Sequence, residues 1–158
     1  MIFDRTQNDV DTARILINEK VKFDPTTMQP INLDELTQEE LETLNKGTFN
    51  YTDLNRIESK QEELKNLFNE MGYWNTPTTN KAWVENDIFK ADDFKRILDN
   101  TNVLRKAFFV YMSTPNTPQI SYYWEDINSL EKILHDLDSM TNYVKNQYRE
   151  CGTFESGE

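Results

Sequence analysis

The sequence predicts an all-α protein, a small bundle of four main helices with one short helix between the first two. In four segments, apolar residues recur at steps of three and four, the spacing of one face of an α-helix. Stretches containing Pro or Gly separate these segments, and the alternating pattern of strands is missing. We expect a single helical domain over residues 1–151 and a flexible C-terminal tail over residues 152–158.

Composition supports a globular protein. The chain has 158 residues, 37% of them hydrophobic and 12% aromatic, enough to bury a substantial core. Its one cysteine, Cys151, cannot form a disulfide within the chain. The first residues include Asp4 and no long apolar run, so we expect neither a signal peptide nor a membrane anchor. A soluble protein, kept in the cytoplasm or released by lysis, fits these features.

The charge balance argues against nucleic-acid binding. Seventeen basic and 28 acidic side chains give a formal net charge of -11, and the acids are spread through every segment. Such a surface repels phosphate backbones. A DNA mimic would also be acidic, but Lys and Arg are interleaved with the acids, which favours an ordinary solubilising surface.

The first helix is predicted to begin at a cap supplied by Asp4 or Thr6 and to end near Lys22. Residues 23–34 contain two prolines and are expected to form an extended connection. The apolar stripe of the helix contains Val10, Ala13, Ile17 and Val21.

A short helix follows, because Thr37 and Glu40 have the spacing of a capping box and Gly47 supplies a stop. The next long helix is capped by Asn50 or Thr52 and ends at Gly72 in the prediction. Its inward face contains Leu54, Ile57, Leu64, Leu67, Phe68 and Met71. The side chains expected to face outward are Glu58, Lys60, Glu62, Glu63 and Lys65.

Residues 73–90 form a long predicted loop with Trp74 and Trp83. Loops of this length are often functional or pinned by buried aromatic rings, and we favour pinning because a large apolar ring gains by burial. The third long helix then runs to about Met112, with Asp92 and Asp93 at the positive end of its dipole. Its face contains Phe94, Ile97, Leu98, Thr101, Leu104, Phe108 and Tyr111.

The last helix is predicted over residues 124–150, after a segment with two prolines. At this size it is about 40 Å long, close to the diameter of the domain, so we expect it to act as a spine unless it bends near Ser139 to Asn142. Its seam contains Ile127, Leu130, Leu134, Leu137, Thr141, Val144 and Tyr148.

Catalytic residues are not predicted. The one histidine, His135, has Glu131 and Asp138 on the same helical edge, which permits a base or metal ligand, but a solvated surface histidine is the favoured interpretation. Cys151 stands beside Gly152 at a helix end with no partner in the sequence pattern that would activate a thiol.

No cofactor or metal site is predicted either. The acids near residue 136 lack the glycine and terminal Glu of a calcium loop, and the glycines are isolated instead of forming a phosphate-binding loop. A small hydrolase centred on His135 is therefore the weakest of the functional alternatives.

Aromatic residues in or beside the loops are the candidate interface, because such side chains often anchor protein contacts. The alternative for each is burial within the same domain. The candidates are Trp74, Trp83, Tyr122, Tyr123 and Trp124.

Four segments resemble a known module. They are IFDRTQNDVDTA, GTFNYTDLNRIESKQEEL, KAWVENDIFKADDFKRILDNTNVLRKAF and NSLEKILHDLDSMTNYVKNQYRECGTFESGE. The motifs within them are Asp4, Arg5 and Thr6; Thr52, Asp53, Leu54, Asn55, Arg56 and Glu58; and Trp83 to Asp87 with Arg96 and Asn100. Together they resemble a helical module widespread in phages and prophages of Gram-positive, gut-type bacteria, found alone or within tail, baseplate and fibre-associated structural proteins. Two positions depart from the pattern, since Lys90 and Tyr123 stand where small capping hydroxyls are expected.

The resemblance implies a non-enzymatic virion protein of a phage tail, baseplate or fibre-attachment region, or of a phage-tail-like particle. The implied partners are other tail, baseplate or fibre proteins and further copies of the chain, with neither nucleic acid nor membrane. Its implied location is the virion, after assembly in the cytoplasm of the bacterial host. The alternative is a free acidic helical adaptor or inhibitor made during infection, which the net charge and the loop aromatics favour.

Overall fold

The structure, a computed structural model, describes residues 4–74, 77, 80–84, 87–118 and 123–151, the last four by backbone alone. The predicted tail and Tyr148 side chain lie outside this description. The described residues form α1 (Gln7–Lys20), α2 (Gln38–Gly47), α3 (Tyr51–Glu70), α4 (Ala91–Ala107) and α5 (Trp124–Cys151), with a short 3-10 helix at Leu33–Glu35. The predicted all-α class, with four main helices, one short helix and a long last helix, is confirmed.

Three helices begin at predicted caps. Thr6, Thr37 and Asn50 are the N-caps of α1, α2 and α3, and each forms a reciprocal capping box with the acid three residues later. The cap of α1 is therefore Thr6 and not Asp4, and the cap of α3 is Asn50 and not Thr52.

The connection between α1 and α2 is a closed loop and not the extended segment predicted. Phe23 and Pro30 pair in an isolated antiparallel bridge. Asp24 Oδ1 accepts two backbone N–H groups of the turn, each at 2.8 Å. Buried Asn32 donates to the Lys20 carbonyl at 2.9 Å, so the loop returns to the end of α1.

The helices α1 and α2 form an antiparallel hairpin. At one end Lys20 forms an ion pair with Glu40, and at the other Lys46 Nζ lies 3.4 Å from Asp9 Oδ2. Gly47, predicted as a helix stop, is the last residue of α2, and a Cβ built there would lie 2.3 Å from Ala13 Cβ. Glycine is required here because the two helices approach too closely for any side chain.

The helices α3, α4 and α5 run parallel. Contacts between α3 and α4 follow one order along both helices: Glu58 with Arg96, Gln61 with Thr101, and Phe68 with Phe108. On α5 the order is the same: Arg56 with Glu131 and Lys60 with Asp138. Each connection between these helices must therefore span the length of the bundle, which explains their length.

The hydrophobic core lies in this three-helix bundle. Its buried side chains are Leu54, Ile57, Leu64, Phe68, Trp83, Phe94, Ile97, Leu98, Leu104, Phe108, Ile127, Leu130, Ile133, Leu134 and Leu137. Burial of these side chains is the largest favourable contribution to folding.

α4 ends before the predicted Met112. Phe108 leaves the helix in an extended conformation, with φ -139° and ψ 171°. Its ring stacks on Phe68 at a centroid distance of 4.9 Å and meets Tyr73 edge-on at 4.9 Å. The prediction that one helical face continues to Tyr111 is wrong, because the chain leaves the helix at Phe108, whose ring is buried in the core.

Candidate functional site

Five of the motif residues, Arg5, Asp53, Arg56, Glu58 and Arg96, lie in two buried ion networks. In the first, Arg5 Nη2 lies 2.9 Å from Asp53 Oδ1 and Arg5 Nη1 lies 2.9 Å from Glu131 Oε2. Arg56 from α3 binds both carboxylates, with its Nε 3.0 Å from Glu131 Oε1. Two guanidinium groups thus neutralise two buried carboxylates, as buried charges require.

The second network surrounds Glu58, which is 2% exposed and so corrects the prediction that it faces outward. Arg96 donates two hydrogen bonds to its carboxylate at 2.7 Å each, and Trp83 Nε1 donates a third at 2.7 Å. The Lys81 backbone N–H donates at 2.8 Å. Hydrogen bonds and the negative charge of Glu58 raise the pKa of Arg96 above its ordinary value, against the opposing effect of burial.

This network pins the connection between α3 and α4. The side chain of Asn55 accepts from the Trp83 N–H at 2.9 Å and donates to the Trp83 carbonyl at 2.8 Å. Asn55 therefore pairs with the backbone N–H and carbonyl of Trp83, as a neighbouring β-strand would. The carboxylate of Glu58 is saturated by donors, so the geometry stabilises the fold and leaves no lone pair directed into a cleft.

His135 lies on the exposed side of α5. Its predicted neighbour Glu131 points into the first ion network, and the other, Asp138, lies 3.6 Å from Lys60. Buried Asp136 accepts from the Thr114 hydroxyl at 2.7 Å and is a structural contact that the seam pattern did not predict. Among the described residues, no group of three or more His, Cys, Asp or Glu side chains is placed to hold a metal ion.

The predicted interface aromatics lie in different settings. Trp83 is 3% exposed and belongs to the core, so burial is the alternative that holds for it. Trp74 is 84% exposed at the end of α3, and Tyr123 is 70% exposed at the start of α5. Half-buried Trp124 donates from Nε1 to Gln7 Oε1 at 3.1 Å. Tyr122 lies outside the described residues.

Tyr123 and Trp124 lie together on one groove. It has a volume of about 580 Å³ and lies between the starts of α1 and α5. Phe49 and Phe89, which the sequence interpretation did not select, line its other side. A second groove of about 510 Å³ also reaches these two rings and lies between the hairpin and the start of α3.

A sequence signal for Phe49 and Phe89 exists. Phe49 immediately precedes the N-cap Asn50, and Phe89 immediately precedes the N-cap Lys90. The position before an N-cap is the first position of a hydrophobic staple. The ring of Phe89 meets Phe94 edge-on at 5.8 Å and Phe49 at 5.7 Å. At Lys90, where a capping hydroxyl was expected, the staple and Asp93, which accepts the Lys90 N–H at 3.2 Å, establish the helix start.

No protein-family model, no characterised protein and no solved structure matches the chain. Of the helices in the described part of the chain, none is long and apolar enough to cross a bilayer.

Proposed function

We propose that this chain is a non-enzymatic structural component of a phage tail, baseplate or fibre-attachment region, or of a phage-tail-like particle. Its partners are other tail proteins or further copies of itself. The support is the resemblance of four segments that cover most of the chain.

The use of the motif residues favours a structural role. Arg5, Asp53 and Arg56 form one buried ion network, while Glu58 and Arg96 form the other. These five side chains of the motifs are thus engaged in holding helices together. A module defined by such residues is defined by its fold, and its function depends on the surface that the fold presents.

The groove at the start of α5 is the observation that carries the proposed role in binding. Tyr123 is exposed at its edge, and Trp124, Phe49 and Phe89 line it. Aromatic rings of this kind bury a large area with few rotatable bonds when a partner docks, and they are enriched at the centres of protein interfaces. We therefore assign the contact with tail proteins to this groove.

The test is incorporation into particles, with Tyr123→Ala compared with Tyr143→Ala. Tyr143 is a matched control because it is 60% exposed on the same helix, well away from the groove. We expect quantitative mass spectrometry of purified particles to find the wild-type chain and Tyr143→Ala at equal copy number. Tyr123→Ala should be depleted by about tenfold, the effect of losing one interface anchor.

Two results would contradict the proposal. Purified particles that contain none of the wild-type chain would remove the structural role altogether. In that case a pulldown from infected cells that recovers only proteins absent from particles would favour the free adaptor. Equal incorporation of both variants would instead remove the groove as the contact surface and leave the structural role intact.

A further inference from the structure

The hairpin of α1 and α2, residues 4–48, is attached to the bundle without sharing its core. Among the residues that the structure describes, none from 4–48 belongs to the core cluster or packs against it. The buried apolar side chains of the hairpin are Ala13 and Leu44, which lie on α1 and α2. Little of the hydrophobic stabilisation of the bundle therefore depends on the position of the hairpin.

Arg5 is the principal attachment. Its guanidinium donates to the Lys46 carbonyl at 3.0 Å, at the end of α2, and binds Asp53 on α3 and Glu131 on α5 at 2.9 Å each. Its own backbone carbonyl accepts from Asn128 Nδ2 at 2.7 Å. One residue thus joins both ends of the hairpin to two helices of the bundle.

Two grooves lie between the hairpin and the bundle, and Arg5 lines one of them. The two grooves, about 510 and 580 Å³, separate the hairpin from the bundle. On the hairpin side their walls include Val10, Ile17 and Leu41, which are only half-buried. A hairpin bordered by such grooves can rotate away while breaking few apolar contacts.

Arg56 lowers the cost of releasing Arg5. It binds both Asp53 and Glu131, so a positive charge stays beside these carboxylates when the hairpin leaves. A buried carboxylate without any partner would cost several kcal/mol, enough to couple release to unfolding of the bundle. With Arg56 in place, release of Arg5 does not leave either carboxylate unpaired.

We propose that the hairpin is a latched lid. It opens as a unit about residues 48–50 when Arg5 leaves Asp53 and Glu131, while α3, α4 and α5 stay folded. Opening uncovers the bundle side of both grooves, including Phe49 and Phe89. Cooperative units that open below the global free energy of unfolding are common in native proteins. This inference is independent of the proposed function.

The test is native-state hydrogen exchange of the full chain at increasing denaturant. Helices of 14 and 10 residues are marginal in water on their own, so α1 and α2 should unfold once Arg5 has released the hairpin. We therefore expect the amides of α1 and α2 to exchange through an opening that α4 does not share. Arg5→Ala should raise exchange in α1 and α2 by about tenfold or more and leave α4 within about twofold of the wild type. Arg14→Ala, which removes an exposed arginine from the same hairpin, should change neither region.

Gly47→Ala is a second test, because it forces α1 and α2 apart within the hairpin and so loosens the same unit. The added Cβ would clash with Ala13 and with the Asp9 carbonyl, and it leaves every charge of the ion network in place. It should raise exchange in α1 and α2 alone. The proposal is overturned if α1, α2 and α4 of the wild type exchange with one common free energy, or if Gly47→Ala raises exchange equally in all three. The wild-type profile decides the matter even if Arg5→Ala fails to fold.

Discussion

The bundle and the hairpin are both helical, yet they are stabilised by different means. In α3, α4 and α5 most of the largest fully buried side chains are apolar, such as Phe68, Leu104 and Leu130. The hairpin relies on two capping boxes, on ion pairs such as Lys46 with Asp9, and on one close helix contact. Helix content alone therefore does not locate stability, because exposed polar contacts contribute far less than a packed core.

Truncating one core leucine in each region gives the largest contrast. Leu134→Ala leaves a cavity at a fully buried position on α5 and should cost about 3 to 5 kcal/mol of unfolding free energy. Leu44→Ala, at the edge of the smaller hairpin interface, should cost about 2 kcal/mol. Denaturant unfolding followed by tryptophan fluorescence measures the loss in the bundle, where Trp83 and Trp124 lie, and amide exchange of α1 and α2 measures the loss in the hairpin.

Amide exchange provides the regional control for this pair. Leu44→Ala should raise exchange in α1 and α2 and leave α4 close to the wild type, whereas Leu134→Ala should affect all helices. An identical loss of stability from both variants at every probe would show that the hairpin and the bundle are stabilised in the same way.

Two variants of Trp83 distinguish the contribution of packing to the stability of the bundle from that of hydrogen bonding. Trp83→Ala removes a buried ring and should cost about 3 to 5 kcal/mol. Trp83→Phe keeps most of the ring and removes the indole donor to Glu58, so it should cost about 1 to 3 kcal/mol. Chemical denaturation of both variants measures the difference. A Trp83→Ala chain of wild-type stability that fails to assemble would assign this residue to an interface after all.

Acid should weaken the hairpin by a smaller amount. A hydrogen bond from the Thr6 side chain lowers the pKa of Asp9 below 3.8, and one from Lys20 lowers the pKa of Glu40 below 4.5. Groups with lowered folded pKa values contribute stability above their unfolded pKa values, and that stability is lost as the pH falls through the folded values. The loss should therefore begin below about pH 4.5.

The bundle contains a carboxylate whose pKa is shifted in the opposite direction. Burial raises the pKa of Asp126 above 3.8, so protonation relieves an unfavourable charge there and acid favours the folded state at this residue.

NMR peak intensities of α1 and α2 between pH 6 and 3 measure the loss of hairpin stability in acid. Thr6→Ala should reduce its pH dependence, because Asp9 loses the hydrogen bond that lowers its pKa, and an unchanged pH dependence would contradict this assignment.

The helices were predictable because their signals are local. The caps Thr6, Thr37 and Asn50 satisfy orphan N–H groups within one turn, and the steps of three and four give each helix its inner face. The end of α4 was not predictable, because the periodic pattern continues past Ala107 while the core places Phe108 outside the helix.

The buried ion networks and the helix directions could not be read from the sequence. Glu58 and Arg5 are of residue types that usually lie at the surface. Only ion-pair partners that are distant in the sequence explain their burial. Periodicity also gives a helical face without giving the direction in which a neighbouring helix runs. Of the candidate aromatics, Tyr123 and Trp124 share a groove, while Trp83 is in the core because Asn55 and Glu58 hold its loop there.

The parallel order of α3, α4 and α5 has a kinetic consequence. Neighbouring antiparallel helices dock through a short turn, whereas each pair here packs only after a long loop has closed. Residues that meet, such as Glu58 with Arg96, are far apart along the chain, and contacts of that kind slow the search for the native state. This protein should therefore fold more slowly than an up-and-down helical bundle of equal length and stability, although its secondary structure is the same.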